Sequence, residues 1–161
     1  MQLDKLGLVP EPRYENAKLP HDITDLSSDQ LAEMFTILTS WADFFASKLT
    51  QAQIDEKSAE AKLDYEVAKL TVDLLGKATK ADKVSLVKAQ IAIEPNIVDL
   101  KEKLHERYAQ RKVWELLVTN QERDITLVSR EITRRTSEKR SEEHTSELQS
   151  HLNLVCRLLL E

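Results

Sequence analysis

Four arginines late in the chain have the clearest chemical potential. Arg123, Arg130 and Arg134 are spaced seven and four residues apart, so on a helix they share one face, with Arg135 beside them and Lys139 following. A strip of guanidinium groups suits phosphate contact. The same pattern also describes a solvated helix face. Glu122, Glu131 and Glu138 are interleaved with the arginines, and cations near a helix C-terminus are favoured by the helix dipole. Trp41, Tyr108 and Trp114 have rings able to stack on bases. Their place on or near the apolar stripes described below equally fits a core or a subunit interface.

No residue set points to catalysis, and the protein is expected not to be an enzyme. Asp55 and Glu56 are adjacent, so they lie on different faces of a helix and make a poor acid–base pair. His105 has no partner at ligand spacing. Gly-rich phosphate loops, nucleophile elbows and metal motifs do not occur in a chain with two glycines. No cofactor and no metal are expected. A His144, His151 and Cys156 set near the C-terminus has metal-ligand residue types, but it falls in a stretch of unusual origin.

Residues 140–151 read RSEEHTSELQSH, and residues 154–160 read LVCRLLL. Both resemble the in-frame translation of a common short-read sequencing adapter, with a short index between them. On that resemblance, residues 140–161 are expected to be adapter-derived and are set aside from fold reasoning. Setting them aside removes Arg140 and Arg157 from the 23 basic residues, and Glu142, Glu143, Glu147 and Glu161 from the 28 acidic ones. The charge becomes 21 against 24, a net −3 rather than −5. Any contact with nucleic acid must therefore use a local patch. The only cysteine also goes, which excludes a disulfide framework and thiol chemistry. Charges interrupt every apolar run, so no secretory signal or membrane span is expected, and a cytoplasmic protein without membrane contact is the simplest reading.

The elements that must position these residues are helices. Residues 31–75 contain neither Pro nor Gly. Apolar or small residues recur from Leu31 through Met34, Leu38, Trp41, Phe45 and Leu49 to Leu74, with one gap at Glu56. The period is about 3.6 residues, that of a nearly straight α-helix. Ser27 and Gln30 form a capping box, and Leu26 and Leu31 a hydrophobic staple, at its start. The helix is expected over 28–75, ending at Gly76. Residues 1–25 carry three prolines and no helical period, and read as an extended arm with room for one short turn. Residues 83–93 are either a short helix or an irregular return. Glu94-Pro95 then breaks the chain and places Pro95 at the first position of a second long helix over about 95–135.

The expected fold is all-α: one antiparallel hairpin of two long helices over 26–139, joined by a short segment, with the arm at 1–25. Trp41, Phe44, Phe45, Trp114, Leu116, Leu117 and Val118 exceed what one neighbouring helix can cover. Self-association is expected, with Trp41, Phe45, Trp114 and Leu117 at the interface.

Three stretches carry a family resemblance: AKLDYEVAKLTVDLLGK at 61–77, EPNI at 94–97, and ERDITLVSREITRR at 122–135. With this layout the chain resembles the UvsY-like recombination mediators of tailed phages, over roughly residues 28–135. The resemblance implies a ring-like homo-oligomer that binds single-stranded DNA. It also implies loading of a RecA-like recombinase while single-strand-binding protein is displaced. Arg123, Arg130, Arg134 and Arg135 are the residues expected to hold the DNA. A competing expectation is a virion or assembly component, or a helical adaptor, with no DNA contact.

Overall fold

A computed structural model describes residues 9–77 and 84–158. Those residues form three α-helices: α1 over Ser28–Lys77, α2 over Val84–Ile93 and α3 over Pro95–Leu158. No strand occurs among the described residues. The turn expected after Gly76 and the first eight residues of the arm lie outside them.

The start of α1 follows from its sequence. The Gln30 N–H donates to Ser27 Oγ at 3.2 Å, and the Ser27 N–H donates to Gln30 Oε1 at 2.8 Å. This reciprocal pair satisfies two donors that a helix start leaves unpaired. Leu31 is fully buried and Leu26 packs against the cluster it belongs to, as a staple requires. One turn earlier a 3₁₀ turn spans Ile23–Asp25. Asp22 Oδ1 accepts from the Thr24 N–H at 2.9 Å and from its hydroxyl at 2.6 Å. These bonds, the hydroxyl's first, lower the Asp22 pKa. With neither Pro nor Gly before Gly76, α1 runs unbroken past Asp55 and continues through Gly76 to Lys77.

Residues 84–93 resolve to the helical alternative. α2 buries Val87 and Ile91 on one side, four residues apart. Pro95 opens α3, where its missing N–H costs nothing and its fixed φ suits a helix. The Glu94 N–H turns back to the Ile91 carbonyl, and the Val98 N–H bonds to the Glu94 carbonyl. α3 does not stop near Arg135 as the sequence reading expected. No Pro or Gly follows Pro95, so nothing breaks the helix before Leu158.

The chain divides into two compact units. The first holds Ala42–Asn120 with the described part of Met1–Glu11. Its core gathers Val87, Ile91 and Ile97, with Leu63, Val67, Leu70 and Leu74 packed against them. Farther along α1, Phe44 and Phe45 meet Trp114 of α3. Phe44 stands edge-on to the indole at 6.4 Å, and Phe45 lies tilted at 6.1 Å. Between these two clusters Glu56 of α1 pairs with Arg111 of α3, both about four-fifths buried at the side chain. The gap in the α1 apolar period is thus filled by an ion pair.

The second unit holds Pro12–Trp41 and the described part of Gln121–Glu161. Leu31, Leu38 and Val128 are its fully buried centre, surrounded by Ala17, Leu19, Met34, Phe35, Ile125 and Ile132 among others. Gln121 is buried there and donates from Nε2 to the Leu38 carbonyl at 2.9 Å. Its amide also exchanges hydrogen bonds with the Asn16 amide at 3.3 and 3.4 Å. Residues 9–22 of the arm form neither helix nor strand and are held by such contacts, including a bond from Trp41 Nε1 to the Tyr14 carbonyl at 3.1 Å.

Candidate functional site

The four arginines all lie in the second unit, on α3. They divide into two kinds. Arg134 lies between two carboxylates one turn away on either side, with Nη2 2.8 Å from Glu131 Oε1 and Nη1 2.5 Å from Glu138 Oε1. These bonds raise its pKa further, Glu131 contributing most. Arg135 is half-buried. Its Nε donates to Glu131 at 2.7 Å, Nη1 to the Leu26 carbonyl at 2.6 Å, and Nη2 to the Thr24 carbonyl at 2.8 Å. Arg135 therefore ties α3 to the segment that leads into α1.

Glu131 sits at the centre of this cluster. Only 6% of its surface is exposed, and it accepts from both Arg134 and Arg135. Hydrogen bonds from Arg134 and then Arg135 hold its carboxyl down to about 2. Such an ion cluster positions the backbone, and two guanidinium groups engaged this way have few donors left for phosphate.

The other two arginines are open. Arg123 is two-thirds exposed at the side chain and makes only a long contact, 3.3 Å, to the adjacent Asp124. Arg130 is exposed and has no ion pair among the described residues. Of the expected strip, these two are the ones with no buried or cross-helix partner among the described residues.

The expected interface residues fall in different places. Trp41 belongs to the second unit and is half-buried, with its indole N–H bonded to the arm. Phe45, Trp114 and Leu117 belong to the first. Phe45 is only 8% exposed, and Trp114 and Leu117 are half-buried. The aromatic rings thus find much of their contact inside the chain. Large apolar side chains that face outward are instead Val113 and Leu116 on α3, and Tyr65 and Val72 on α1. Leu116 was already among the surplus apolar residues of the sequence, whereas Tyr65 and Val72 lie off the inward stripe of α1.

Two further features of the first unit have chemical interest. Arg111, besides pairing with Glu56, bonds Glu115 at 3.1 Å and lies 5.1 Å over the Tyr108 ring. Its pKa is raised, the Glu56 hydrogen bond foremost. A mainly apolar groove of about 380 Å³ is lined by Val67, Leu75, Val87 and Ile97, with Lys88 and Lys101 at its edge. Among the described residues no cluster of three or more potential metal ligands occurs. No helix among them is long and apolar enough to cross a membrane. Comparison of the chain with protein-family models, with curated proteins and with solved structures finds no match in any of the three.

Proposed function

We propose that this protein works by helix-to-helix association, as a non-catalytic adaptor or assembly component of the cytoplasm built on an antiparallel hairpin of α1 and α3. Contacts inside the first unit support the hairpin. As residue numbers rise along α1, from Phe44 through Glu56 to the Leu63–Leu74 stretch, the α3 partner numbers fall, from Trp114 through Arg111 to the cluster that holds Ile97. The observation that carries the functional reading is how side chains are distributed on these helices. Charged groups are paired mainly along their own helix, as in Lys57–Glu60, Lys103–Asp99 and Arg134–Glu138. Large apolar groups such as Tyr65, Val72, Val113 and Leu116 face outward, each more than half exposed. Outward apolar side chains on long helices are an association surface. Sedimentation velocity tests this directly. The full chain is expected to form oligomers at micromolar concentration, and a monomer at tens of micromolar overturns self-association.

A second reading, the single-stranded DNA mediator, is favoured by the exposure of Arg123 and Arg130. In that case an oligomer multiplies weak phosphate contacts through avidity and presents the strand to a RecA-like recombinase. Fluorescence anisotropy of a labelled single strand at low salt separates the two readings. Binding that weakens when Arg123 and Arg130 become Ala, with a shallower salt dependence, supports the mediator. No binding by an intact oligomer removes it.

A further inference from the structure

The α1 helix carries a second apolar seam, distinct from the one covered by α2 and α3. Ile54, Ala61, Ala68 and Leu75 recur every seven residues on it. Ser58, Tyr65 and Val72 fall between them, four residues after one member and three before the next. All seven are exposed, Tyr65 at 66% and Val72 at 70%. The inward seam averages nearer 3.6 residues per step, whereas this one keeps a strict 3.5. A 3.5-residue period is the pattern that keeps one stripe facing a partner helix along a coiled coil. The small residues Ser58, Ala61 and Ala68 allow two backbones to come close.

We propose that this outer seam of α1 pairs antiparallel with the same seam of a second copy of the chain, with Ser58 facing Ala61 and Ile54 facing Tyr65. The inference rests on the association reading above and specifies its surface. The charges beside the seam select both the partner and the register. In this alignment Lys57 meets Asp64 of the second copy on one edge, and Asp55 meets Lys62 of the second copy on the other. The twofold axis repeats each contact, so the pair gains four opposite-charge contacts. Sliding the copies one heptad in one direction sets Asp64 against Asp64 and Lys62 against Lys62. Sliding them the other way sets Lys57 against Lys57 and Asp55 against Asp55. A parallel, in-register pair places Lys57 against Lys62. Only one arrangement near the middle of the seam is therefore free of like-charge contacts there.

The groups needed are available. Lys62 and Asp64 are exposed and have no ion pair among the described residues. Lys57 pairs only with Glu60 of its own helix and is 77% exposed at the side chain. Asp55 accepts one bond, from Gln51 Nε2 at 2.9 Å. At the outer ends Lys69 approaches Lys48 of the second copy. Each has a partner in its own chain, Glu66 at 3.9 Å for Lys69 and the Phe44 ring at 5.3 Å for Lys48, which softens that repulsion.

Two measurements on the full chain test the proposal. In sedimentation equilibrium, Lys57→Asp is expected to raise the dimer dissociation constant about tenfold or more, since it converts two attractive contacts into repulsive ones. Adding Asp64→Lys to the same chain reverses both members of each pair and is expected to restore association to within about threefold of the original. Both positions are exposed, and unchanged circular dichroism confirms that folding is intact. In the second measurement, two single-cysteine chains are prepared in a Cys156→Ser background, one carrying Ser58→Cys and the other Ala61→Cys. Mixed and oxidised, they are expected to give mainly the mixed disulfide. Predominant pairing of position 58 with itself overturns the antiparallel register, and failure of the double reversal to restore association overturns the charge argument. If the chain oligomerises but neither expectation is met, this seam is excluded while the association reading stands. A monomeric wild-type chain overturns both.

Discussion

Replacing Arg135 with Met tests whether the arginine cluster is built for structure. Methionine keeps most of the aliphatic stem and removes all donors. The lost bonds are those to the Leu26 carbonyl at 2.6 Å, the Thr24 carbonyl at 2.8 Å and the Glu131 carboxylate at 2.7 Å. A hydrogen bond with a charged partner contributes about 1.5–3 kcal/mol when water cannot replace it. Here the bond to Thr24 is exposed, so water recovers part of its value, and Arg134 still satisfies Glu131. A net loss of about 2 kcal/mol follows. For a chain of this length each kcal/mol moves Tm by roughly 2–4 °C, which gives a drop of about 4–8 °C. Hydrogen exchange should quicken at the Ile23–Asp25 turn and the first turn of α1, where Arg135 adds its hydrogen bonds to the apolar packing on α3. The control is Arg134→Met, whose partners Glu131 and Glu138 are both on its own helix and whose side chain is half exposed. It should change stability far less. If the two variants destabilise equally, or if Arg135→Met leaves Tm and exchange unchanged, the structural assignment of Arg135 is wrong.

Four further outcomes are expected. Phe45→Ala removes a buried ring that packs against Phe44 and Trp114. It should cost about 3 kcal/mol in denaturant unfolding, and a change below about 1 kcal/mol would mean that the cluster collapses around the cavity. Ser27→Ala breaks the capping box and should cost about 1 kcal/mol, read as a lower urea midpoint at unchanged slope. The Glu131 carboxyl is depressed from its ordinary 4.5 to about 2, so its stabilising contribution is complete above pH 4.5 and fades as pH falls toward 2; Glu131→Gln should flatten the loss of Tm across that window, and a parallel pH profile would show that other carboxyls govern it. Residues 136–146 are all exposed, so a chain ending at Lys139 should keep its sedimentation behaviour and the melting of its described core, whereas a shift in either would tie residues 140–161 to assembly.

Local signals translated well into structure where one interaction dominates. The capping box at Ser27 and Gln30, and the stop and restart at Glu94-Pro95, depend on neighbours within four residues and are visible in sequence. The choice between a short helix and an irregular return at 84–93 was not, because it turns on Val87 and Ile91 packing against residues of α1. The polar gaps in the apolar stripes were visible as gaps, but their meaning was not. Glu56 is answered by Arg111, 55 residues away, and Gln121 by the Leu38 carbonyl, 83 residues away. The arginine face could be read from spacing alone. That Glu131 and Glu138, one turn from Arg134, would hold it was implicit in the same spacing, but the reach of Arg135 to the Thr24 carbonyl needed the fold. The outer seam of α1 is masked in the sequence because two apolar periods offset by about two residues overlap there, and they separate only in the fold, where one of them is covered.

The way the second unit is assembled also sets a timetable for its formation. Its arm contacts join residues far apart in the chain: Asn16 to Gln121 across 105 residues, and Thr24 to Arg135 across 111. At a synthesis rate of about 5–20 residues per second, Thr24 is made roughly 5–20 s before Arg135. Through that interval Leu31 and Leu38 have no Val128 to bury them. The first unit meets no such delay at its α2 end, since Leu63–Leu74 needs only residues up to Ile97. The α2 end of the first unit is therefore in a position to fold early, and the arm and the start of α1 to be captured late. During that wait, the apolar face around Leu31 and Leu38 is open to chaperones, proteases and other copies of the chain.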